Sequence, residues 1–292
     1  MSEAQPSGYR RPDAAGPVQE RGPDARKGAP DVGTDRIGAA FAGHGKRAAL
    51  MPYLMGGFPD VETSVAIGEA YADGGADLVE LGVPFSDPLA DGPVIHAAAT
   101  AALRAGATVH GVLDAGAAIA ERVPVVLMCY ANPIFARGME RFATDLAERG
   151  ISGLIVPDMP LEEAAGALAA CDAAGVALVP LVAPTTPDAR LEAIGAAARG
   201  FVYMVSVTGT TGERKALGAE VRGILERAHA RSELPVALGF GIATPEQAAD
   251  AAAAGADGVI VGSRLVRAAA EADDPPTAVR ELVAGLAAGL SG

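Results

Sequence analysis

Short apolar runs recur along the chain and alternate with alanine-rich segments. The runs have the length of buried strands, and eight strands are predicted at 50–55, 78–83, 123–128, 153–156, 177–182, 201–205, 236–238 and 258–261. The segments between them have helical periodicity, and helices are predicted at 36–42, 61–74, 109–122, 139–149, 161–174 and 245–254. Asp35 is a candidate cap for the first helix. This alternation predicts an α/β fold with a parallel sheet, and eight repeats favour closure into a (β/α)8 TIM barrel.

The first 35 residues differ from the rest of the chain. Prolines and glycines alternate there, and Tyr9 is the only aromatic residue. Such a segment buries too little apolar surface to offset its ordering entropy, so residues 1–35 are predicted to be a disordered tail. Residues 36–292 are then a single catalytic domain of barrel size. The alternative is an open doubly wound sheet, but the loop 56–59 after the first strand lacks the G-x-G-x-x-G pattern of a dinucleotide site.

Charge and composition exclude several classes of function. The net charge of −13 opposes general binding to nucleic acid or to an anionic membrane. No apolar run has the length of a membrane span, and no signal peptide is recognisable, so we expect a cytoplasmic protein. The only cysteines are Cys129 and Cys171, and the four histidines lack the spacing of metal ligands. We therefore expect no metal site.

Glu80 is the first candidate for chemistry, because it interrupts an apolar strand. Strand alternation places its side chain on the same face as Leu78 and Gly82, which in a barrel is the interior. Burial raises the pKa of a carboxyl group and suits it to general acid/base catalysis, unless a basic residue pairs with it. The proline-braced loop that follows carries Asp87 and Asp91, which are either positioned for function or solvated turn residues.

Glycines after the seventh and eighth predicted strands indicate a phosphate site. Gly241 and Gly262 allow backbone to approach a ligand, and Ser263 adds a hydroxyl at the start of a helix. Barrels often bind phosphate at this place, where free N–H groups and the helix dipole converge. Many phosphate-binding barrels share this feature, so it indicates the class of ligand rather than the reaction.

The segment 80–93, ELGVPFSDPLADGP, resembles the signature of the tryptophan synthase alpha subunit family. Supporting motifs lie at 51–53, 128–133, 201–203, 208–212, 239–242 and 261–263, so the resemblance covers about residues 36 to 290. It implies a lyase of tryptophan biosynthesis that needs no cofactor and cleaves indole-3-glycerol phosphate to indole and glyceraldehyde 3-phosphate. It also implies a beta subunit as partner, in a tetramer of two alpha and two beta chains.

The resemblance assigns roles residue by residue. It makes Glu80 the general acid/base and Asp91 the second catalytic carboxylate. The other matched positions are expected to bind substrate or its phosphate: Tyr130, Tyr203 and Thr211 for the substrate, and Gly212, Gly241, Gly262 and Ser263 for the phosphate. Thr211 and Gly212 belong to a polar segment, 206–217, that is expected to act as a lid.

Docking of the partner is expected on the loops that follow the strands, at 58–59, 87–88 and 132–135. Three other functions stay open at this point. They are a stand-alone lyase that releases free indole, a barrel that only regulates its partner, and another phosphate-binding barrel such as an isomerase or aldolase. A Schiff-base aldolase needs an inward lysine, whereas Lys46 and Lys215 lie outside the predicted strands.

Overall fold

Parallel strands form the sheet of this protein, whose computed structural model describes residues 33–205, 219–239 and 241–291. The strands are β1 (Ala49–Met55), β2 (Val79–Gly82), β3 (Val125–Met128), β4 (Gly153–Ile155), β5 (Ala177–Leu178), β6 (Leu181–Val182), β7 (Val202–Val205), β8 (Val236–Gly239) and β9 (Gly258–Val261). Their order is β5-β4-β3-β2-β1-β9-β8-β7-β6, so the first strand pairs with both the second and the last. That pairing excludes the open doubly wound alternative, whose sheet does not bring the first and last strands together in this way.

The barrel closes through the predicted strand 177–182, which the structure divides into β5 and β6. β5 pairs with β4, and β6 pairs with β7. Between them, the Val179 N–H donates to the Leu154 carbonyl (2.9 Å), and the Pro180 carbonyl accepts from the Tyr203 N–H (3.0 Å). Proline has no N–H and interrupts a ladder, which explains the break. The segment thus joins both edges of the sheet, and the prediction of a TIM barrel is confirmed.

Helices cover the outside of the barrel and follow most of the strands. They are α1 (Gly33–Gly43), α2 (Val61–Asp73), α3 (Pro93–Arg104), α4 (Val109–Ala120), α5 (Ala131–Arg137), α6 (Met139–Glu148), α7 (Ala165–Ala174), α8 (Asp188–Ala197), α9 (Ala219–His229), α10 (Pro245–Ala253), α11 (Ser263–Glu271) and α12 (Pro275–Leu290). Side-chain caps fix several starts, because Asp60, Thr108 and Thr244 each accept a backbone N–H three residues onward. The helix predicted at 161–174 begins instead with a 3-10 turn, Leu161–Glu163, before α7.

Helix α1 closes the N-terminal end of the barrel. Its Ile37 and Phe41 are buried in the cluster of side chains that fills the interior, and Phe41 lies 5.4 Å from the ring of Phe201. The helix starts at Gly33, so Asp35 lies within its first turn. The prediction that Asp35 caps this helix is therefore wrong. Residues 33–35 of the predicted tail are therefore helical. Residues 1–32 lie outside the described residues, and their assignment as a tail stays a prediction.

The strands separate two apolar layers. Inward side chains such as Leu78, Val126 and Ile260 form the interior cluster, whereas Val79 and Leu81 pack outward against the helices. Adjacent residues of one strand thus serve different layers, as strand alternation requires. The same alternation turns Glu80 into the barrel.

Candidate active site

Glu80 lies inside the barrel and is 1% exposed. Its strand register places it opposite Tyr53 of β1 and Val126 of β3. Among the described residues no basic side chain pairs with it, and its hydrogen-bond partner is the Tyr203 hydroxyl, 3.4 Å from Oε2. Burial raises the pKa of Glu80 to about 8, the hydrogen bond from Tyr203 lowers it, and the charge of Asp91 raises it further. The carboxyl group is therefore neutral at pH 7 and able to donate a proton.

Asp91 is held at the end of the loop that follows β2. The Tyr130 hydroxyl donates to its Oδ1 (3.0 Å) and accepts the Ala90 N–H (3.0 Å). Phe85 stacks on Tyr130 with ring centroids 5.2 Å apart, so one tyrosine fixes both ends of this loop. Partial burial raises the pKa of Asp91, while the Tyr130 hydrogen bond and the charge of His96 lower it.

Asp87, in the same loop, has a different environment. It is exposed, and its side chain accepts a hydrogen bond from the neighbouring Ser86 hydroxyl. The two aspartates that the sequence could not distinguish therefore separate into a solvated turn residue and a half-buried carboxylate coupled to Glu80. Asp91 is the one placed for chemistry.

Tyr203 reaches Glu80 because the neighbouring strand carries a glycine. A Cβ atom at Gly239 would lie 2.7 Å from the Tyr203 hydroxyl. The ring also packs on Phe201 (centroids 6.4 Å apart), below it in the barrel. Tyr203 is thus both an aromatic wedge in the barrel and a hydrogen-bond donor to Glu80.

Tyr53 is a further site residue, which our sequence analysis quoted only as part of a motif. Its side chain is 4% exposed and points into the barrel beside Glu80, above the space left by Gly82. Burial raises its pKa well above the usual value, and the charges of Asp91 and Glu80 act in the same direction. The signal was available in the sequence, because Tyr53 follows the inward Met51 by two positions on a predicted strand.

The predicted phosphate-binding residues lie at adjacent strand ends. Parallel pairing of β8 with β9 places Gly241 and Gly262 at one side of the barrel mouth. Gly241 has a φ of 60°, a conformation that favours glycine, and Gly262 precedes α11 at its N-terminus. Ser263 is the first residue of that helix, where the N–H groups of the first turn lack intrahelical acceptors. Thr211, Gly212 and the predicted lid 206–217 lie outside the described residues, as does Phe240.

Two large apolar side chains are exposed at or next to the predicted docking loops, Phe135 within 132–135 and Leu89 directly after 87–88. Leu89 is 92% exposed and Phe135 is 61% exposed, in the loop after β2 and in α5 after β3. One part of that prediction is wrong, because Ile134 is fully buried in the layer between strands and helices. Ile134 therefore anchors α5, while its neighbour Phe135 faces solvent.

The described residues contain neither a metal-binding cluster nor a membrane-spanning helix. No group of three or more His, Cys, Asp or Glu side chains there could hold a metal ion. No helix in the same part of the chain is long and apolar enough to cross a membrane. Cys129 and Cys171 are free and buried.

Comparison with known proteins gives a consistent result across sequence and structure. The family model described as "Tryptophan synthase alpha chain" matches residues 40–288. The chain is 50% identical over 244 residues to the tryptophan synthase alpha chain of Phenylobacterium zucineum, covering 82% of this chain and 88% of that one. It is 49% identical over 228 residues to that of Prochlorococcus marinus, covering 77% and 83%.

Solved structures agree with these relatives. A tryptophan synthase chain from Mycobacterium tuberculosis superposes with a TM-score of 0.82 at 42% identity, covering 88% of this chain and 98% of that one. A chain from the tryptophan synthase α2β2 complex of Pyrococcus furiosus gives a TM-score of 0.78 at 35% identity, with 82% and 98% covered. The family model covers most of the chain, and the relatives and solved structures agree with it, so the chain belongs to the tryptophan synthase alpha chain family.

Proposed function

We propose that Glu80 and Asp91 carry out the alpha reaction of tryptophan synthase in this chain, the cleavage of indole-3-glycerol phosphate to indole and glyceraldehyde 3-phosphate. The protein is a lyase of tryptophan biosynthesis. The observation that carries the assignment of roles is a fully buried glutamate with a pKa of about 8, coupled to a half-buried aspartate and paired with no cation among the described residues.

Glu80 acts first as an acid and then as a base. In its neutral form it donates a proton to C3 of the indole ring, which makes the ring a leaving group. The resulting carboxylate then removes the proton of the substrate hydroxyl on the carbon that is bonded to the ring. As the carbon–carbon bond breaks, that carbon becomes the aldehyde carbon. One proton is given and one is taken, so Glu80 returns to its starting state. A pKa near the working pH suits both steps.

Asp91 stabilises the charge that this chemistry creates. Protonation at C3 places positive charge on the ring nitrogen, and an ionised Asp91 accepts the ring N–H and offsets that charge. The Tyr130 hydroxyl, 3.0 Å from Oδ1, favours the ionised form and fixes its direction. Two carboxyl groups in different environments thus hold different protonation states, one neutral and one charged.

The phosphate is assigned to the ends of β8 and β9, which β1 separates from the strand of Glu80. Gly241, Gly262 and Ser263 surround the N-terminus of α11, where backbone N–H groups and the helix dipole favour an anion. Gly262→Ala is the cleaner test of this site, because the described atoms nearest to a Cβ there belong to Tyr53, at 3.7 Å or more, whereas Gly241 has a positive φ that strains any side chain. We expect the KM for substrate to rise about tenfold in Gly262→Ala with little change in kcat.

A tryptophan synthase beta chain is the proposed partner. The related Pyrococcus furiosus protein forms an α2β2 complex with mutual activation. In this chain Leu89 and Phe135 expose apolar surface at the catalytic end of the barrel, and Leu89 lies in the loop that carries Asp91. A partner docked there receives indole directly and presses on the Asp91 loop, so its binding changes the rate of cleavage. We assign the assembly to the cytoplasm, in keeping with two free thiols.

The deciding experiment measures indole-3-glycerol phosphate cleavage by the full chain, with and without the beta chain, and the mass of the mixture. We expect a complex and a rate well above that of the chain alone. Full activity without any complex would favour the stand-alone lyase. Absence of cleavage in both conditions, with a folded chain, would contradict the catalytic proposal and leave a regulatory barrel. A Schiff-base aldolase is disfavoured by Lys46, which pairs with Asp77 (2.8 Å) at the opposite end of the barrel.

A further inference from the structure

Tyr53 has a buried hydroxyl with an unusually weak partner. Among the described residues, its hydrogen-bond contact is the Met55 Sδ atom at 4.0 Å. A thioether is a weak acceptor, and this distance is at the outer limit for one. The other buried tyrosines bond to oxygen, since the Tyr71 hydroxyl donates to the Tyr53 carbonyl (3.0 Å) and the Tyr130 hydroxyl donates to Asp91 Oδ1 (3.0 Å). A buried hydroxyl is costly unless it is well bonded, so Tyr53 retains the capacity for a better partner.

The side chain of Tyr53 lies between the two halves of the proposed site. Near its base, a Cβ at Gly262 would lie 3.7 Å from the Tyr53 Cβ, which places this end beside the proposed phosphate position. At its tip, the hydroxyl occupies the space above Gly82, on the strand that carries Glu80. The ring therefore extends from the phosphate end of the pocket to the carboxylate end.

Electrostatics keep this hydroxyl protonated. Burial raises the pKa of Tyr53 well above its usual value, and the charges of Asp91 and Glu80 raise it further. The group is consequently a neutral donor that can also accept one hydrogen bond, the behaviour needed to recognise an alcohol.

We propose that the Tyr53 hydroxyl hydrogen-bonds a hydroxyl of the glycerol chain of the substrate. This inference rests on the proposed function, because that chain joins the phosphate to the indole ring and must cross the same interval that Tyr53 spans. Tyr53 then selects a hydroxylated linker over a hydrocarbon linker of equal length. Glu80 remains the group that moves protons, and Tyr53 only binds the glycerol chain.

The test compares two ligands in a background that does not turn over. In Glu80→Gln, calorimetry measures the Kd of indole-3-glycerol phosphate and of an analogue in which hydrogen replaces both chain hydroxyls. Adding Tyr53→Phe removes one oxygen and keeps the ring. We expect it to weaken binding of the glycerol phosphate roughly 3- to 10-fold, the effect of one neutral hydrogen bond, and to leave the analogue unchanged.

Tyr71→Phe is the matched control. It also removes one buried tyrosine hydroxyl that touches β1, but from the helix side of the strand. We expect it to lower the melting temperature and to leave the ratio of the two Kd values unchanged. In the chain with Glu80 intact, Tyr53→Phe should raise the KM for substrate while the Ki of the analogue stays constant, which gives a second readout.

Three outcomes would overturn the inference. Equal weakening of both ligands by Tyr53→Phe would show that the side chain only shapes the pocket. No weakening of either would show that the hydroxyl makes no contact. If neither ligand binds to Glu80→Gln with Tyr53 intact, the proposed function itself fails and this inference fails with it.

Discussion

The two ends of the barrel hold carboxylates in opposite environments. Asp77, just before β2, accepts from Lys46 Nζ (2.8 Å) and from the Leu50 N–H (2.7 Å). Three residues later on the same segment, Glu80 has a tyrosine hydroxyl at 3.4 Å and no cation among the described residues. Both side chains are shielded from water, and only their partners differ. A carboxylate with a cation and an amide is fixed in its charged form, whereas one with neither is left able to exchange a proton.

The N-terminal end repeats its arrangement. Asp257, before β9, bonds to His229 Nε2 (2.8 Å) and to the Val236 N–H (2.8 Å). In both cases a carboxylate ties the start of its own strand to the start of a neighbouring one. This end therefore serves stability, and the other end serves chemistry, as the general division of TIM barrels leads one to expect.

The largest expected effect removes the carboxylates of the catalytic end. Glu80→Gln and Asp91→Asn should each lower the rate of cleavage at least about a hundredfold, since a general acid or a charge-stabilising group is lost. The assay is indole release from indole-3-glycerol phosphate in the presence of the beta chain. Glu121→Gln, an exposed change at the end of α4 and away from the predicted docking loops, is the control and should keep near-full activity. Near-full activity in Glu80→Gln would contradict the assignment of chemistry to this end of the barrel.

The next effect concerns the opposite end of the barrel. Asp77→Asn leaves Lys46 without its partner and replaces a charged acceptor of the Leu50 amide with a neutral one. We expect the free energy of unfolding to fall by about 3 kcal/mol, measured by urea titration at pH 7. The kcat of the folded protein should be unchanged. A large loss of kcat at full stability would mean that the two ends do not divide their roles.

The pH dependence of stability tests the raised pKa of Glu80. The pKa of Glu80 is about 8 in the folded protein, against 4.5 as its usual value. Between these values the folded state binds more protons than the unfolded state, so stability falls as the pH rises from about 5 to about 8. Glu80→Gln removes this decline and should be more stable than the parent at pH 9, by about 5 kcal/mol. An unchanged slope of unfolding free energy against pH would contradict the raised pKa.

The smallest effect refines the catalytic end alone. The Tyr203 hydroxyl favours the carboxylate form of Glu80, so Tyr203→Phe should raise the pKa of Glu80 by about half a unit. In the proposed mechanism cleavage needs neutral Glu80, so the decline of the rate at high pH should shift upward by the same amount. The measurement is kcat against pH. Tyr130→Phe, which removes a bond to Asp91 instead, should leave that limb of the profile in place.

Most of the fold followed from strand and helix periodicity, and the exceptions have physical causes. β9 has the predicted bounds because an apolar run ends at a glycine on each side. The segment 177–182 reads as one strand, and its division depends on which neighbour Val179 and Pro180 each bond, a property of the closed barrel. The start of α1 was also missed, since Gly33 and Asp35 carry no apolar signal and the helix is held by the burial of Ile37 and Phe41.

The site residues were likewise predictable only in part. Alternation alone turned Glu80 inward, and the resemblance selected Asp91 over Asp87. Sequence could not rank these two aspartates by itself, because their difference comes from Tyr130, which lies about forty positions away in the chain. The burial of Ile134 was missed for a related reason, because residues 132–135 were predicted as a loop, whereas they lie in a helix that turns Ile134 toward the core and its neighbour Phe135 toward solvent.

The fit between tyrosines and glycines on adjacent strands sets how this pocket can change. At Gly82 and Gly239, a single added carbon would collide with the ring or hydroxyl of Tyr53 or Tyr203. A side chain at either glycine therefore requires a smaller residue in place of the facing tyrosine, whereas the tyrosine can be shortened alone. Redesign of this barrel that adds a side chain at Gly82 or Gly239 has to change the tyrosine on the neighbouring strand as well, and libraries that vary these glycines alone will return mostly disrupted pockets.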